Sequence, residues 1–283
     1  MTIGKHLKRI RKNKGYTQKY SAENILSQSS YSKFEDEKSD IKAETFINIL
    51  NKFHISPSEF LFIADEYKVS EEQQILMDFF NLPYNDLHRL HSIKNKIMAY
   101  ENSEKNIMLS DVLTICNALI KLAQTSDIDR AREIVEPVWD RLSTYNNWYL
   151  TDIKLINVLL YLFPVDTAIE VTKSLLNRLN QYKGYQYSVQ LQSTLLINLT
   201  LLLIKDKNYQ EALSVLEDTI KTHQKQMPYQ SLALCFSRKS LCLHHLGHDS
   251  ANNYLQKAKQ LLEIYEENDM WILIEKEHQT YSI

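Results

Sequence analysis

Gln28, Ser29, Ser30 and Lys33 place an amide, two hydroxyls and an ammonium within one short segment, with Ser27 ahead of them as a capping hydroxyl. Glutamine can pair bidentately with adenine N6 and N7, serine can donate or accept at several bases, and lysine reaches guanine O6 and N7 or a phosphate. A second set recurs far along the chain. Asn117 precedes Ala131 by 14 residues and Asn198 precedes Ala212 by 14, while Arg238 precedes Ala251 by 13. Asn157 precedes Ala168 by 11, which fits the series if the turn at Pro164 is three residues shorter. An amide carries both donors and acceptors, so a row of asparagines can hold the main chain of an extended peptide whatever its side chains. Each asparagine can equally cap or bridge neighbouring helices. Tyr161, Tyr182, Tyr185 and Tyr187 can line such a groove or half-bury where helices touch.

The elements that position these residues are read from composition and periodicity. Only 4 glycines and 5 prolines in 283 residues predict an all-α protein with few tight turns. The length suits a small module joined to a larger one. The overall charge of −2 hides a split: residues 1–63 carry 11 Lys/Arg against 7 Asp/Glu, residues 64–283 carry 22 against 28. Only the head is built to meet a polyanion.

Within that head, Ile3, Leu7 and Ile10 recur at helical spacing and Lys5, Lys8, Arg9, Arg11 and Lys12 fill the other face, predicting a first helix that ends before Gly15. Thr17 caps a second helix to about Asn24, Ser27 or Gln28 opens a third to about Asp36, and Ala43 to Phe53 forms a fourth. Ser56-Pro57-Ser58-Glu59 has the order of a capping box and opens a fifth. Helices two and three have the dimensions of a helix-turn-helix, whose second helix enters the major groove of DNA. Gln28, Ser29, Ser30 and Lys33 are then the base-facing candidates, Gln18 is placed to bind a backbone phosphate at the start of helix two, and Lys14, Lys19, Lys38 and Lys42 add phosphate contacts. Tyr31 and Phe34 read as core.

From Glu71 onward, apolar-periodic helices alternate with short polar breaks. An alanine flanked by acids opens every second helix, at Ala131, Ala168, Ala212 and Ala251, with separations of 37, 44 and 39 residues. Such a period, with two helices per unit, predicts a right-handed tetratricopeptide-like array in residues 71–283. The expected organisation is a DNA-binding domain over 1–63, a linker over 64–70 and a helical-repeat regulatory and dimerisation domain over 71–283. Tyr265, Met270, Trp271, Ile272 and Ile274 supply apolar area for dimerisation through the C-terminal helices.

Other chemistry is not expected. Cys116, Cys235 and Cys242 lie in apolar runs without a CxxC pair and read as buried reduced thiols. His244 and His248 sit at i,i+4 beside a turn without a further evident ligand, and His88 and His91 read as surface residues, so neither metal nor other cofactor is expected. The sequence carries no glycine-rich phosphate loop, nucleophile motif or paired catalytic carboxylates, which excludes the common enzyme classes. A charged N-terminus without an apolar core, and a most apolar stretch (Leu195 to Ile204) about half as long as a membrane span, predict a cytoplasmic protein with no membrane partner.

The residues Ile3-Gly4-Lys5-His6-Leu7-Lys8-Arg9-Ile10-Arg11, Gly15-Tyr16-Thr17-Gln18 and Phe34-Glu35 resemble the XRE, lambda-repressor-like helix-turn-helix family over about 60 residues. The resemblance implies a structural ion pair between Arg11 and Glu35. It also exposes a departure: the turn Asp36-Glu37-Lys38-Ser39-Asp40 lacks the basic residue and glycine usual after the glutamate, and its acids would repel phosphates. Head, tether and repeat body together resemble the Rgg/GadR/MutR regulators of Gram-positive bacteria, with PlcR- and PrgX-like regulators sharing the layout. That resemblance implies a cytoplasmic homodimer on double-stranded promoter DNA whose repeats receive a short signalling peptide in quorum sensing, held in relatives by asparagines on inner helices. For this chain the peptide-binding candidates are Asn117, Asn157, Asn198, Arg238 and Tyr161. RNA polymerase is a further candidate partner. The disulfide that joins the DNA-binding domains of some members has no counterpart, because residues 1–115 contain no cysteine. The competing expectation is a regulator whose repeats bind a partner protein instead of a peptide.

Overall fold

The computed structural model describes residues 2–82, 86–100, 106–185 and 188–282. Tyr187, named above for the groove, lies outside them. The described residues form α-helices and short 3₁₀ turns with no strand, and the chain divides into two compact units, Met1–Met77 and Asp78–Ile283.

The first unit contains α1 (Ile3–Asn13), α2 (Gln18–Ala22), α3 (Gln28–Glu35), α4 (Ala43–Lys52) and α5 (Pro57–Ala64). Local chemistry sets each boundary. Gly15, at φ +69°, closes α1: its N–H bonds to Lys12 O and that of Tyr16 reaches back to Arg11 O, satisfying two carbonyls that the helix end would orphan. Thr17, Ser27 and Ser56 cap α2, α3 and α5, their hydroxyls accepting from the N–H of Tyr20, Ser30 and Glu59. The core gathers Leu7, Ile10, Tyr31, Phe34, Ile49, Leu50, Phe53 and Phe60, all buried. Gly4 permits a close approach of backbones, since a Cβ there would stand 2.1 Å from Phe34 O. That contact lets α1 lie directly on the end of α3.

α6 (Glu71–Phe80) carries the chain into the second unit, which continues with α7 (Leu87–Ala99), α8 (Ile107–Thr125), α9 (Ile128–Ser143), α10 (Leu150–Leu159), α11 (Val165–Leu179), α12 (Ser188–Lys205), α13 (Tyr209–His223), α14 (Tyr229–His245), α15 (Ala251–Ile264) and α16 (Asn268–Tyr281). From α7 onward consecutive helices pack against one another as hairpins, and α14 also touches both α12 and α16. The periodic alanines explain the close packing: Ala131, Ala168 and Ala212 are completely buried near the start of α9, α11 and α13, and Ala251 is partly so in α15. The polar breaks are caps, with Asp127 accepting from Arg130 N–H and Asn208 from Glu211 N–H. α10 has 10 residues where α8 has 19 and α12 has 18, and a 3₁₀ turn (Leu160–Leu162) leads from it to Pro164.

Two sequence expectations change here. By length and composition α8 and α12 are each long and apolar enough to cross a membrane, and Leu195–Ile204 is only part of α12; about half of each helix, 44% and 56%, is buried in the unit, as core helices are. Met270 and Ile274 are not available to a partner chain, because they are buried against Ala233, Ala258 and Leu262. Tyr265 stacks on Tyr229 at 3.7 Å, Trp271 is partly buried, and the apolar surface of this end lies on Ile264, Ile272 and Leu273.

Candidate functional site

In the first unit the capped start of α3 presents Gln28, Ser29 and Ser30, all exposed, with Lys33 one turn on and also exposed. Ser27 Oγ accepts the Ser30 N–H at 3.1 Å and donates to Ser30 Oγ at 2.8 Å, so the Ser30 hydroxyl keeps its own proton for an outside acceptor. Tyr31 and Phe34, on the opposite side of α3, are buried and anchor it.

Behind that face lies a buried charge pair. Arg11 donates through Nε to Glu35 Oε1 at 2.6 Å and through Nη2 to Oε2 at 2.9 Å, while its Nη1 reaches Tyr16 O at 2.7 Å. The fork ties α1 to the end of α3 with a geometry only arginine offers. Gln18 also points inward, donating to Glu35 Oε2 at 2.9 Å. Its amide therefore supports the ion pair instead of standing free at the start of α2. Burial alone would push the Glu35 carboxyl up; the hydrogen bonds from Arg11 and Gln18 outweigh it and hold the carboxyl below its ordinary value. The Tyr31 hydroxyl, buried nearby without a hydrogen-bond partner, is pushed up by that burial.

The acidic turn after Glu35 has a local use. Lys8 donates to Asp36 at 2.7 Å and Lys5 lies 3.1 Å from Glu37, so two cations of α1 are neutralised within the protein. Glu37 occupies the left-handed region at φ +58°, the conformation a glycine would take without strain. Lys14, Lys33 and Lys38 are exposed and have no ion-pair partner among the described residues.

In the second unit the four candidates Asn157, Tyr161, Asn198 and Arg238 form one neighbourhood. Asn198 Nδ2 donates to Asn157 Oδ1 at 2.8 Å across α10 and α12, and the Tyr161 hydroxyl donates to Asn198 Oδ1. Arg238, buried in α14, donates through Nη1 to Ile197 O at 2.6 Å and through Nε and Nη2 to the Glu277 carboxylate at 2.7 and 2.9 Å. Burial pushes the Tyr161 hydroxyl up to about 12, so it remains a donor at neutral pH. Asn117, on α8, has no side-chain hydrogen bond to any described residue, and the N–H₂ group of Asn157 is likewise unspent. Tyr182 and Tyr185 make an edge contact with each other at 6.2 Å and join none of this network.

Two residues absent from the sequence reading belong to this neighbourhood. Glu277 follows Arg238 by 39 residues, much as Asn198 follows Asn157 by 41, so α16 extends the period. Lys205 lies two turns after Asn198 on α12, with Nζ 5.6 Å from the Tyr161 ring centroid. The residue is exposed, yet the protein around its ammonium lowers its pKa, an effect that Glu277 opposes and Arg238 reinforces. The thiols of Cys116, Cys235 and Cys242 are buried and pushed up to about 12 by that burial, which makes them unreactive. Among the described residues no group of three His, Cys, Asp or Glu side chains is arranged to hold a metal.

Comparison with known proteins covers both units. The family model of the HTH-type transcriptional regulator Rgg, C-terminal domain, matches residues 90–276, and a helix-turn-helix domain model matches residues 4–77. Similar solved structures include a protein of Listeria monocytogenes EGD-e assigned as a transcriptional regulator, at 20% identity and TM-score 0.76 over 99% of this chain and 97% of that one. The SHP pheromone receptor Rgg2 of Streptococcus dysgalactiae aligns at 17% identity and TM-score 0.71 over 98% and 99% of the two chains. PlcR of Bacillus thuringiensis, solved with the peptide PapR7 and DNA, aligns at 18% and 0.69 over 96% and 98%. At these identities the likeness concerns the fold.

Proposed function

Since the chain belongs to the Rgg family of helix-turn-helix transcriptional regulators, we propose that it binds promoter DNA through α3 and that a short signalling peptide, bound along the inner helices of its repeats, alters that binding. The observation that carries the peptide reading is the row itself. Asn117, Asn157 and Asn198 precede the periodic alanines of successive hairpins by 14, 11 and 14 residues, Asn157 and Asn198 meet at 2.8 Å, and unspent amide groups remain at Asn117 and Asn157. A peptide main chain offers the alternating N–H and C=O groups that such amides match. The Asn157–Asn198 bond bridges two helices, so it also keeps these two residues in register.

On the DNA side, Gln28, Ser29, Ser30 and Lys33 read base edges, while Lys14 and Lys38 meet phosphates. The Gln18 backbone can still face a phosphate at the start of α2, though its side chain serves Glu35. Function as a homodimer in the cytoplasm would set two copies of α3 on half-sites about one helical turn apart, near 34 Å. Contact with RNA polymerase would follow from binding at a promoter. Peptide can change DNA affinity only to the extent that it binds one state of the protein more tightly.

The test pairs two titrations. Ser30→Ala and Lys33→Ala should each weaken binding to the promoter upstream of the gene, the lysine change also lowering the salt dependence, by roughly one unit of log–log slope if it meets a phosphate. Short hydrophobic peptides encoded beside the gene, labelled with fluorescein, should bind saturably by fluorescence polarisation. Unaltered promoter affinity in both variants would remove α3 from the reading role, and the absence of binding by every such peptide would favour a partner protein as the occupant of the repeats.

A further inference from the structure

The charges around the Asn157–Asn198 pair do not balance. Arg238 and Glu277 neutralise each other through two N–H···O bonds. Lys205 stands beside them, and its ammonium makes neither a hydrogen bond nor an ion pair with any described residue. Its position is fixed from two sides: it shares a face of α12 with Asn198, seven residues earlier, and it lies over the Tyr161 ring, whose hydroxyl is bonded to Asn198. The cluster thus holds two cations and one carboxylate beside the Asn157–Asn198 pair, in which the Asn157 N–H₂ group is unspent. A neutral peptide backbone would satisfy the free Asn157 N–H₂ group and leave the ammonium without an anion.

We infer that Lys205 is a carboxylate-binding subsite, selecting peptides that bring either a C-terminal carboxylate or an Asp/Glu side chain to the Tyr161 end of the Asn157–Asn198 row. The inference rests on the peptide-binding reading above and specifies the ligand. Three features support it. An ammonium over an aromatic face is partly desolvated and gains more from an anion than a fully hydrated one. Arg238 is less suited to the role, because it is buried and its charge is already paired with the Glu277 carboxylate. Glu277 faces Arg238 in a bidentate pair, so it does not close an ion pair with Lys205.

Fluorescein-labelled hydrophobic octapeptides encoded beside the gene provide the probe, each made in three forms: with a free C-terminal carboxylate and any Asp or Glu amidated, as a C-terminal carboxamide retaining or given one Asp, and as a carboxamide lacking every carboxylate. Polarisation titrations on the full chain should show one of the first two forms binding about 10- to 100-fold more tightly than the third, the range of a charge-assisted hydrogen bond. Which of the two wins identifies the source of the carboxylate. Lys205→Met should erase the difference and Lys205→Arg should restore most of it, with thermal unfolding confirming that both variants fold. Equal affinity of all three forms, or a preference that survives Lys205→Met, would overturn the subsite while leaving peptide binding intact. No binding by any form would overturn the peptide reading and the subsite together.

Discussion

Replacing Arg11 with methionine would strand Glu35. The arginine side chain is 9% exposed and the glutamate 0%, and the fork supplies two of the three hydrogen bonds the carboxylate receives from side chains. Methionine fills similar volume, so the loss is electrostatic. Removing one partner of a buried pair costs about 3–5 kcal/mol, since the remaining charge keeps its desolvation without compensation. A unit of this size has a total stability of about 4–11 kcal/mol, so much of it would go. All three tryptophans, Trp139, Trp148 and Trp271, lie in the second unit, and tryptophan fluorescence would miss the event. Hydrogen exchange followed by mass spectrometry on the full chain reads it directly: amides of α1 to α5 should exchange roughly a hundred- to several-thousand-fold faster, and those of α8 to α16 at the native rate. The pH dependence gives a second check. The native Glu35 carboxyl sits below its ordinary value, so its contribution to stability is present above that value and is lost as pH falls through the folded one. In the variant burial acts unopposed, the carboxyl rises, and acidification should relieve part of the penalty. Arg11→Met/Glu35→Leu, which removes both charges, should regain most of the protection. Less than tenfold faster exchange in the single variant, or no recovery in the double one, would refute the view that this pair organises the head.

Gly4→Ala should destabilise the same unit by about 1–3 kcal/mol, because its methyl meets the Phe34 carbonyl and α1 must move away from α3; an unchanged exchange pattern over α1 and α3 would contradict that packing. His278 links α16 to α14 through Ser240 Oγ at 3.3 Å, and burial, reinforced by His244 and His245 against the opposing Glu277, holds its pKa below the ordinary 6.5. A base with a depressed folded pKa leaves the unfolded state with more bound protons in that window, so stability should fall as pH drops below about 6.5. The amides of α16 should lose protection between pH 7.5 and 5.5 and His278→Gln should flatten the trend; His223 shifts in the same direction by burial and would supply any residual slope.

The helices and their starts were legible in the sequence because each depends on neighbours in the chain: Thr17, Ser27 and Ser56 cap where they stand, and Gly15 turns where it stands. The spacing of Asn157, Asn198 and Arg238 was legible for the same reason, since a repeat fixes equivalent positions by counting. What escaped depended on partners far away in sequence. Gln18 looks like a surface amide until α3 brings Glu35 beside it, 17 residues later. Met270 and Ile274 read as a surface for another copy until α14 and α15 cover them. Glu277 was discoverable, as the next step of the period after Arg238, but it carries a charge where an amide was sought. Lys205 could be placed on the Asn198 face by counting, whereas its nearness to Tyr161 comes only from the fold, which sets the 3₁₀ turn Leu160–Leu162 beside α12.

Coupling between the two units is the central claim, and it is tested most directly by the affinity of the full chain for a fluorescent fragment of its promoter, measured by anisotropy with and without saturating neighbouring-gene peptide. The account predicts that peptide changes the DNA dissociation constant by about 5- to 150-fold, the span of ordinary allosteric coupling, and that Asn117→Ala and Asn157→Ala/Asn198→Ala suppress that change. A peptide that binds the repeats but leaves the DNA affinity of the wild-type chain unaltered, or a full response in both sets of asparagine variants, would contradict it.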